Sequence, residues 1–120
     1  MELSKEAKRD ILNLVLGVTA DIADKEYQKR VWIRAEGPEW DDFDETCCHF
    51  FQEGDGVLEK YKAFGITENQ YYILKNFRDV FRAFSNENDL PQEFIDTPEW
   101  TRITEMATEV LKAFNYQKSR

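Results

Sequence analysis

In "ITENQYYILKNFRDVFRAF", residues 66–84, the large apolar side chains Tyr71, Leu74, Phe77, Phe81 and Phe84 recur every three or four positions. This is the 3.6-residue period of a helix with one buried stripe, and it has no counterpart in the two-residue alternation of a half-buried strand. The start is marked as well. Thr67 and Gln70 form a T-x-x-Q capping box, and Ile66 is placed to staple onto Tyr71. A stripe this apolar has to be covered by another element.

The rest of the chain offers further helices to cover it. Ser4 is an N-cap for a first helix carrying Ala7, Ile11, Leu14, Val15 and Val18, with Gly17 near its end. A second helix, about Ala20 to Ala35, places Ile22, Ala23, Tyr27 and Val31 on one side and carries the basic residues Lys25, Lys29, Arg30 and Arg34. "EGP" at Glu36 to Pro38 breaks it. A third begins at "EWDDFDETCCHFF" and uses Trp40, Phe43, Cys47, Phe50, Val57, Leu58, Tyr61 and Phe64, with a kink or break expected at Gly54 and Gly56. After the loop "SNENDLPQEFID", Thr97 caps and Pro98 opens a last helix, with Trp100, Ile103, Ala107, Val110 and Phe114 inward. The expected fold is all-α, an antiparallel bundle of four to five helices in one domain spanning residues 1–120.

Nine Phe, five Tyr and three Trp give this chain of 120 residues enough apolar area to fold unaided. No apolar run approaches the roughly 18 residues of a membrane span, and "MELSKEAKRD" lacks a small-residue cleavage site, so a cytoplasmic address without membrane contact is expected. The formal net charge of −8 argues against a nucleic-acid partner, because binding a polyanion needs a basic footprint. The charge is also unevenly spread. Glu36, Glu39, Asp41, Asp42, Asp44, Glu45, Glu53, Asp55 and Glu59 fall in one window without a single Lys or Arg, leaving the remainder of the chain near neutrality.

That window also holds both cysteines and the only histidine. Cys47 and Cys48 are sequence neighbours, closer than ordinary disulfide geometry allows, and are read as reduced thiols. On a helix Cys47, Cys48 and His49 point about 100° apart, so they make no thiol–imidazole pair, and Cys47 shares a face with Phe43 and Phe50 as a small core residue. "CCH" lacks the spaced pairs of a zinc site, and a calcium loop forced onto Asp42, Asp44 and Glu53 would put Cys47 at the glycine position. No metal or other cofactor is expected. The enzyme alternative is magnesium-dependent nucleotide pyrophosphohydrolysis, with Asp41/Asp44 and Asp42/Glu45 at i, i+3 and Glu105/Glu109 on a second helix, but neither the E-x-x-E nor the E-x-x-D motif of that chemistry occurs as a clean helical motif.

A solvated face gains from mixed charge signs, so a base-free run calls for a different explanation, and a basic protein partner is one. Trp40, Asp41, Asp42, Asp44, Glu45, Glu53 and Asp55 are the expected partner-binding residues, with the carboxylates supplying charge and Trp40 an apolar anchor. A second base-free run, Ala83 to Thr101, adds Glu87, Asp89, Glu93, Asp96 and Glu99. Phe43 in the first run, and Phe94 and Trp100 in the second, extend the aromatic content of this surface. The pattern of "LNLVLGV" followed by "TADIADKEYQKRVW", with "EVLKAF" closing the last helix, resembles small acidic helical immunity proteins that protect bacteria from their own nuclease toxins. The likeness is to the colicin D type and to those of contact-dependent inhibition systems. It implies a non-enzymatic inhibitor that presents acids to a basic toxin domain where substrate phosphates would lie. A helical adaptor for another partner is the alternative within the same binding class.

Overall fold

The computed structural model describes residues 3–117, and among these every regular element is helical. Four long helices build the body: α1 (Lys5–Ile22), α3 (Phe43–Glu59), α4 (Glu68–Ser85) and α6 (Pro98–Ala113). Two short ones join them, α2 (Lys25–Tyr27), which runs directly into a π-helical stretch Gln28–Ile33, and α5 (Pro91–Phe94). α1 packs on α3 and α6, and α4 packs on the same two helices, so the four close a ring around one core. Gln70 Nε2 at the start of α4 donates to the Ala113 carbonyl at the end of α6 at 3.0 Å, which sets those two helices antiparallel.

The capping signals act as the sequence implies. The Ser4, Thr67 and Thr97 hydroxyls accept from the backbone N–H groups of Ala7, Gln70 and Trp100, and the Thr67–Gln70 box is closed in both directions. Leu74, Phe77 and Phe81 of α4 are fully buried, as are Trp100, Ile103, Ala107 and Val110 of α6.

Three boundaries differ from expectation. α1 does not end near Gly17 but continues to Ile22. Gly17 is buried within it, and a β-carbon there would lie 3.5 Å from the Tyr116 hydroxyl, so the small residue lets the carboxyl-terminal segment pack closely. Leu14 is 46% exposed, because α1 buries the face bearing Val15, Leu16, Thr19 and Ala20 between its two neighbours. α3 starts at Phe43 rather than Trp40 and passes through Gly54 and Gly56 without a break, with the Phe50 ring packed beneath Gly54.

The turn from α1 into the π stretch rests on Gln28, which is fully buried. Its Nε2 donates to the carbonyls of Asp21 (2.9 Å) and Ile22 (2.8 Å) in the last turn of α1, while its Oε1 accepts from Trp100 Nε1 at 2.8 Å. The wider π turn lets Gln28, Val31 and Trp32 all face inward. Trp32, Phe43, Phe81, Phe84, Phe94 and Trp100 then form a continuous aromatic cluster at the end of the bundle where α3 and α6 begin and α4 ends.

Candidate acidic interaction site

The loop between the π stretch and α3 holds Trp40 in solvent. Ala35 (φ 52) and Gly37 (φ 95) take left-handed backbone conformations, and a β-carbon at Gly37 would collide with the Arg30 guanidinium. That space lets Arg30 reach Glu39 with two parallel contacts of 2.7 and 2.8 Å, while Arg34 pairs with Glu36. On the other side of Trp40, the half-buried Asp41 carboxylate accepts from the Tyr27 hydroxyl (2.7 Å), Trp32 Nε1 (3.1 Å) and the Thr46 hydroxyl (3.1 Å). Both neighbours of Trp40 are therefore fixed to the body, and the indole between them is 98% exposed.

The structure divides the seven expected site residues by role. Trp40, Asp44 and Glu45 are exposed, and Asp42, also exposed, is the N-cap of α3, accepting from Glu45 N at 2.8 Å. Asp44 and Glu45 occupy the first turn of α3, where the positive end of the helix dipole favours carboxylates. Asp41 is an exception to the exposed surface the sequence implies, because its oxygens are taken by Tyr27, Trp32 and Thr46. Asp55 bridges Arg78 (2.8 Å) and Arg82 (2.6 Å) of α4, and the Arg82 guanidinium lies 4.6 Å from the Phe51 ring centre. Glu53 lies eight residues beyond Glu45, about 12 Å along the helix, so it and Asp55 stand apart from the Trp40 loop.

The other aromatic candidates are internal. Phe43, Phe94 and Trp100 are each at most 3% exposed, because they make up the cluster under the loop. Cys47 packs against the core beside them, and burial, helped by Asp44, Cys48 and Asp42, pushes its thiol up to about 12, far from a nucleophilic thiolate. Cys48 and His49 are exposed, with His49 Nε2 3.6 Å from Glu45. Among the described residues no group of three or more His, Cys, Asp or Glu converges as a metal site, and no helix is long and apolar enough to cross a membrane. Asp41 precedes α3 and faces Tyr27 and Trp32, so it does not form the i, i+3 helical pair with Asp44 that magnesium chemistry would use.

The second base-free run contributes more than its sequence suggests. The end of α4, α5 and the first turn of α6 enclose a cleft of 430 Å³ with Phe84, Leu90 and Phe94 along its wall and Glu87, Asp89, Glu93 and Glu99 around it. None of these four carboxylates has a basic partner among the described residues. The Phe43–Phe94 contact, with ring centres 4.9 Å apart, places this cleft at the same end of the molecule as the Trp40 loop. The only prior signal of it was the absence of Lys and Arg from residues 83–101. Comparison with family models, with curated proteins and with solved structures finds no match.

Proposed function

We propose that this chain is an immunity-type inhibitor that binds the basic domain of a nuclease toxin through its acidic end and covers the surface that would hold substrate phosphates. The observation that carries this reading is Trp40, 98% exposed between two anchored carboxylates. A large apolar side chain left in solvent, on a backbone tied down on both sides, offers area to bury at an interface, which is the property of an anchor. Asp42, Asp44 and Glu45 beside it, and the unpaired carboxylates of the cleft, supply the field that steers a basic partner and opposes nucleic acid at the same surface. Asp41, Glu39 and Asp55 serve by holding the scaffold, and the chain itself performs no catalysis.

The test is to isolate the partner from the native host and measure its nuclease activity and its binding with wild type, Trp40→Ala, the pair Asp44→Lys/Glu45→Lys, and a control pair Glu105→Lys/Glu109→Lys on the exposed face of α6. Trp40→Ala should weaken binding by at least about 2 kcal/mol, roughly 30-fold. The Asp44/Glu45 reversal should slow association and reduce its salt dependence, while the control keeps inhibition. Full inhibition by both site variants, or a partner without a basic nuclease domain, refutes the proposal.

A further inference from the structure

At the far end of the bundle, among exposed acids such as Glu6, Asp10, Glu59 and Glu68, one groove is lined by cations and by no carboxylate. Lys5, Lys8, Arg9 and Leu12 of α1, at i, i+3, i+4 and i+7, lie on one helical stripe and line a groove of 380 Å³ with Ala63, Phe64 and Gly65 of the turn between α3 and α4. Among the described residues Lys5 and Lys8 have no carboxylate partner, and Arg9 has only a loose exposed contact with Asp10 at 3.9 Å. Lys60 and Lys62 flank the same turn. Because the start of α1 meets the end of α3 here, the two helices run antiparallel, and the Trp40 loop stands at the opposite end of α3, about 25 Å away for its 17 residues.

A molecule with an exposed indole among carboxylates at one end and a cation-lined groove holding Leu12 and Phe64 at the other is complementary to itself. We propose that this chain associates head to tail, the Trp40 loop of one protomer seating in the Lys5/Lys8/Arg9/Leu12/Phe64 groove of the next. The groove provides what Trp40 and its neighbours lack: apolar contact from Leu12 and Phe64, cations for the indole face, and positive partners for Asp42 and Asp44. The two surfaces lie at opposite ends, so the contact is heterologous and adds protomers in series. Salt sets its range. At about 0.1 M the Debye length of roughly 10 Å screens repulsion between whole molecules of charge −8 but leaves charges in contact at the junction attractive, whereas at 1 M, with roughly 3 Å, the junction is screened as well. The association hides the surface assigned above to a toxin partner, which makes it a concentration-dependent store of inhibitor. The two ideas share Trp40, and the following test uses the chain alone, so each fails separately.

Sedimentation velocity at rising protein concentration reads the proposal. Wild type should show an average mass that climbs with concentration at 0.1 M salt and falls back at 1 M. Trp40→Ala and Lys8→Glu/Arg9→Glu should each remain monomeric with an unchanged helical circular dichroism spectrum. Mixed, they should form a dimer and nothing larger, since Trp40→Ala keeps an intact groove and the other variant keeps an intact Trp40, which leaves one competent junction. Wild type that stays monomeric up to about 1 mM overturns the proposal, as do variants that associate like wild type, a mixture that stays monomeric, or association unchanged at 1 M salt.

Discussion

Replacing Asp41 by alanine separates a scaffold carboxylate from a partner-binding one. In the folded protein one carboxylate takes a 2.7 Å contact from the Tyr27 hydroxyl, a 3.1 Å contact from Trp32 Nε1 and a 3.1 Å contact from the Thr46 hydroxyl. Hydrogen bonds to a charged group contribute about 1.5–3 kcal/mol each, but these three share one acceptor and do not add. Thr46 keeps an alternative acceptor, the Asp42 carbonyl at 2.9 Å, so its loss is small. The buried Trp32 indole N–H has no second partner among the described residues and carries the unsatisfied-donor cost of about 1–3 kcal/mol, with Tyr27 adding about 1. Asp41→Ala is therefore expected to cost about 2–4 kcal/mol, a large share of the 5–15 kcal/mol typical of a domain. Urea denaturation followed by circular dichroism measures it, with a constant m value showing that the denatured state is unchanged. Reversal of the exposed Asp44 should cost only about 0.3–1 kcal/mol, through the α3 dipole. An Asp41→Ala cost below about 0.5 kcal/mol, the range of ordinary surface changes, refutes the reasoning.

Two further outcomes follow from buried groups. Gln28→Leu strands the Trp100 indole N–H and the Ile22 carbonyl, while the Asp21 carbonyl keeps the Asp24 N–H at 3.3 Å, so thermal denaturation should show a loss of about 2–4 kcal/mol, and a change below about 1 kcal/mol would mean that water replaces the side chain. Cys47 keeps its proton in the folded chain up to about pH 12, whereas the unfolded thiol loses it near 8.5, so above that value the native state holds more protons and stability falls as pH rises, by at most about 1.4 kcal/mol per unit; Cys47→Ala should flatten this slope, and at pH 8 alkylation should reach Cys48 first.

The helical class and the core of α4 and α6 were legible because they follow from period and caps, which are local. Thr67, Thr97 and the Leu74/Phe77/Phe81 stripe need no knowledge of what they pack against. Gln28 was not legible, because a polar residue on a basic helix becomes a core residue only when the end of α1 and the Trp100 indole arrive from elsewhere in the chain. The same holds for Asp41 and Asp55. A carboxylate in an acid-rich window looks free until Tyr27 and Trp32, or Arg78 and Arg82, are brought against it by the fold. Of the expected aromatic residues, Trp40 alone is exposed, since the loop before α3 leaves it outside while Phe43, one helical turn later, is the first residue of the helix and turns inward.

The neutralised carboxylates change what the charge distribution implies. A base-free window suggests uncompensated repulsion, but Glu36, Glu39 and Asp55 are paired with arginines supplied from outside it, Asp41 is hydrogen-bonded, and Asp42, Asp44 and Glu45 sit against the positive end of the α3 dipole. Glu87, Asp89 and Glu93 lack such compensation, and of the cleft's carboxylates only Glu99 stands in the first turn of a long helix. The greater electrostatic cost therefore sits in the cleft, and the exposed apolar anchor sits in the loop. A partner that relieves the one and buries the other has to span both, placing basic side chains in the cleft while it covers Trp40. Lysine substitutions at Glu87 and Glu93 should then raise the stability of the isolated protein while weakening its complex; a complex as tight as wild type would show that the cleft lies outside the interface, and a stability that does not rise would show that its carboxylates carry no repulsive cost.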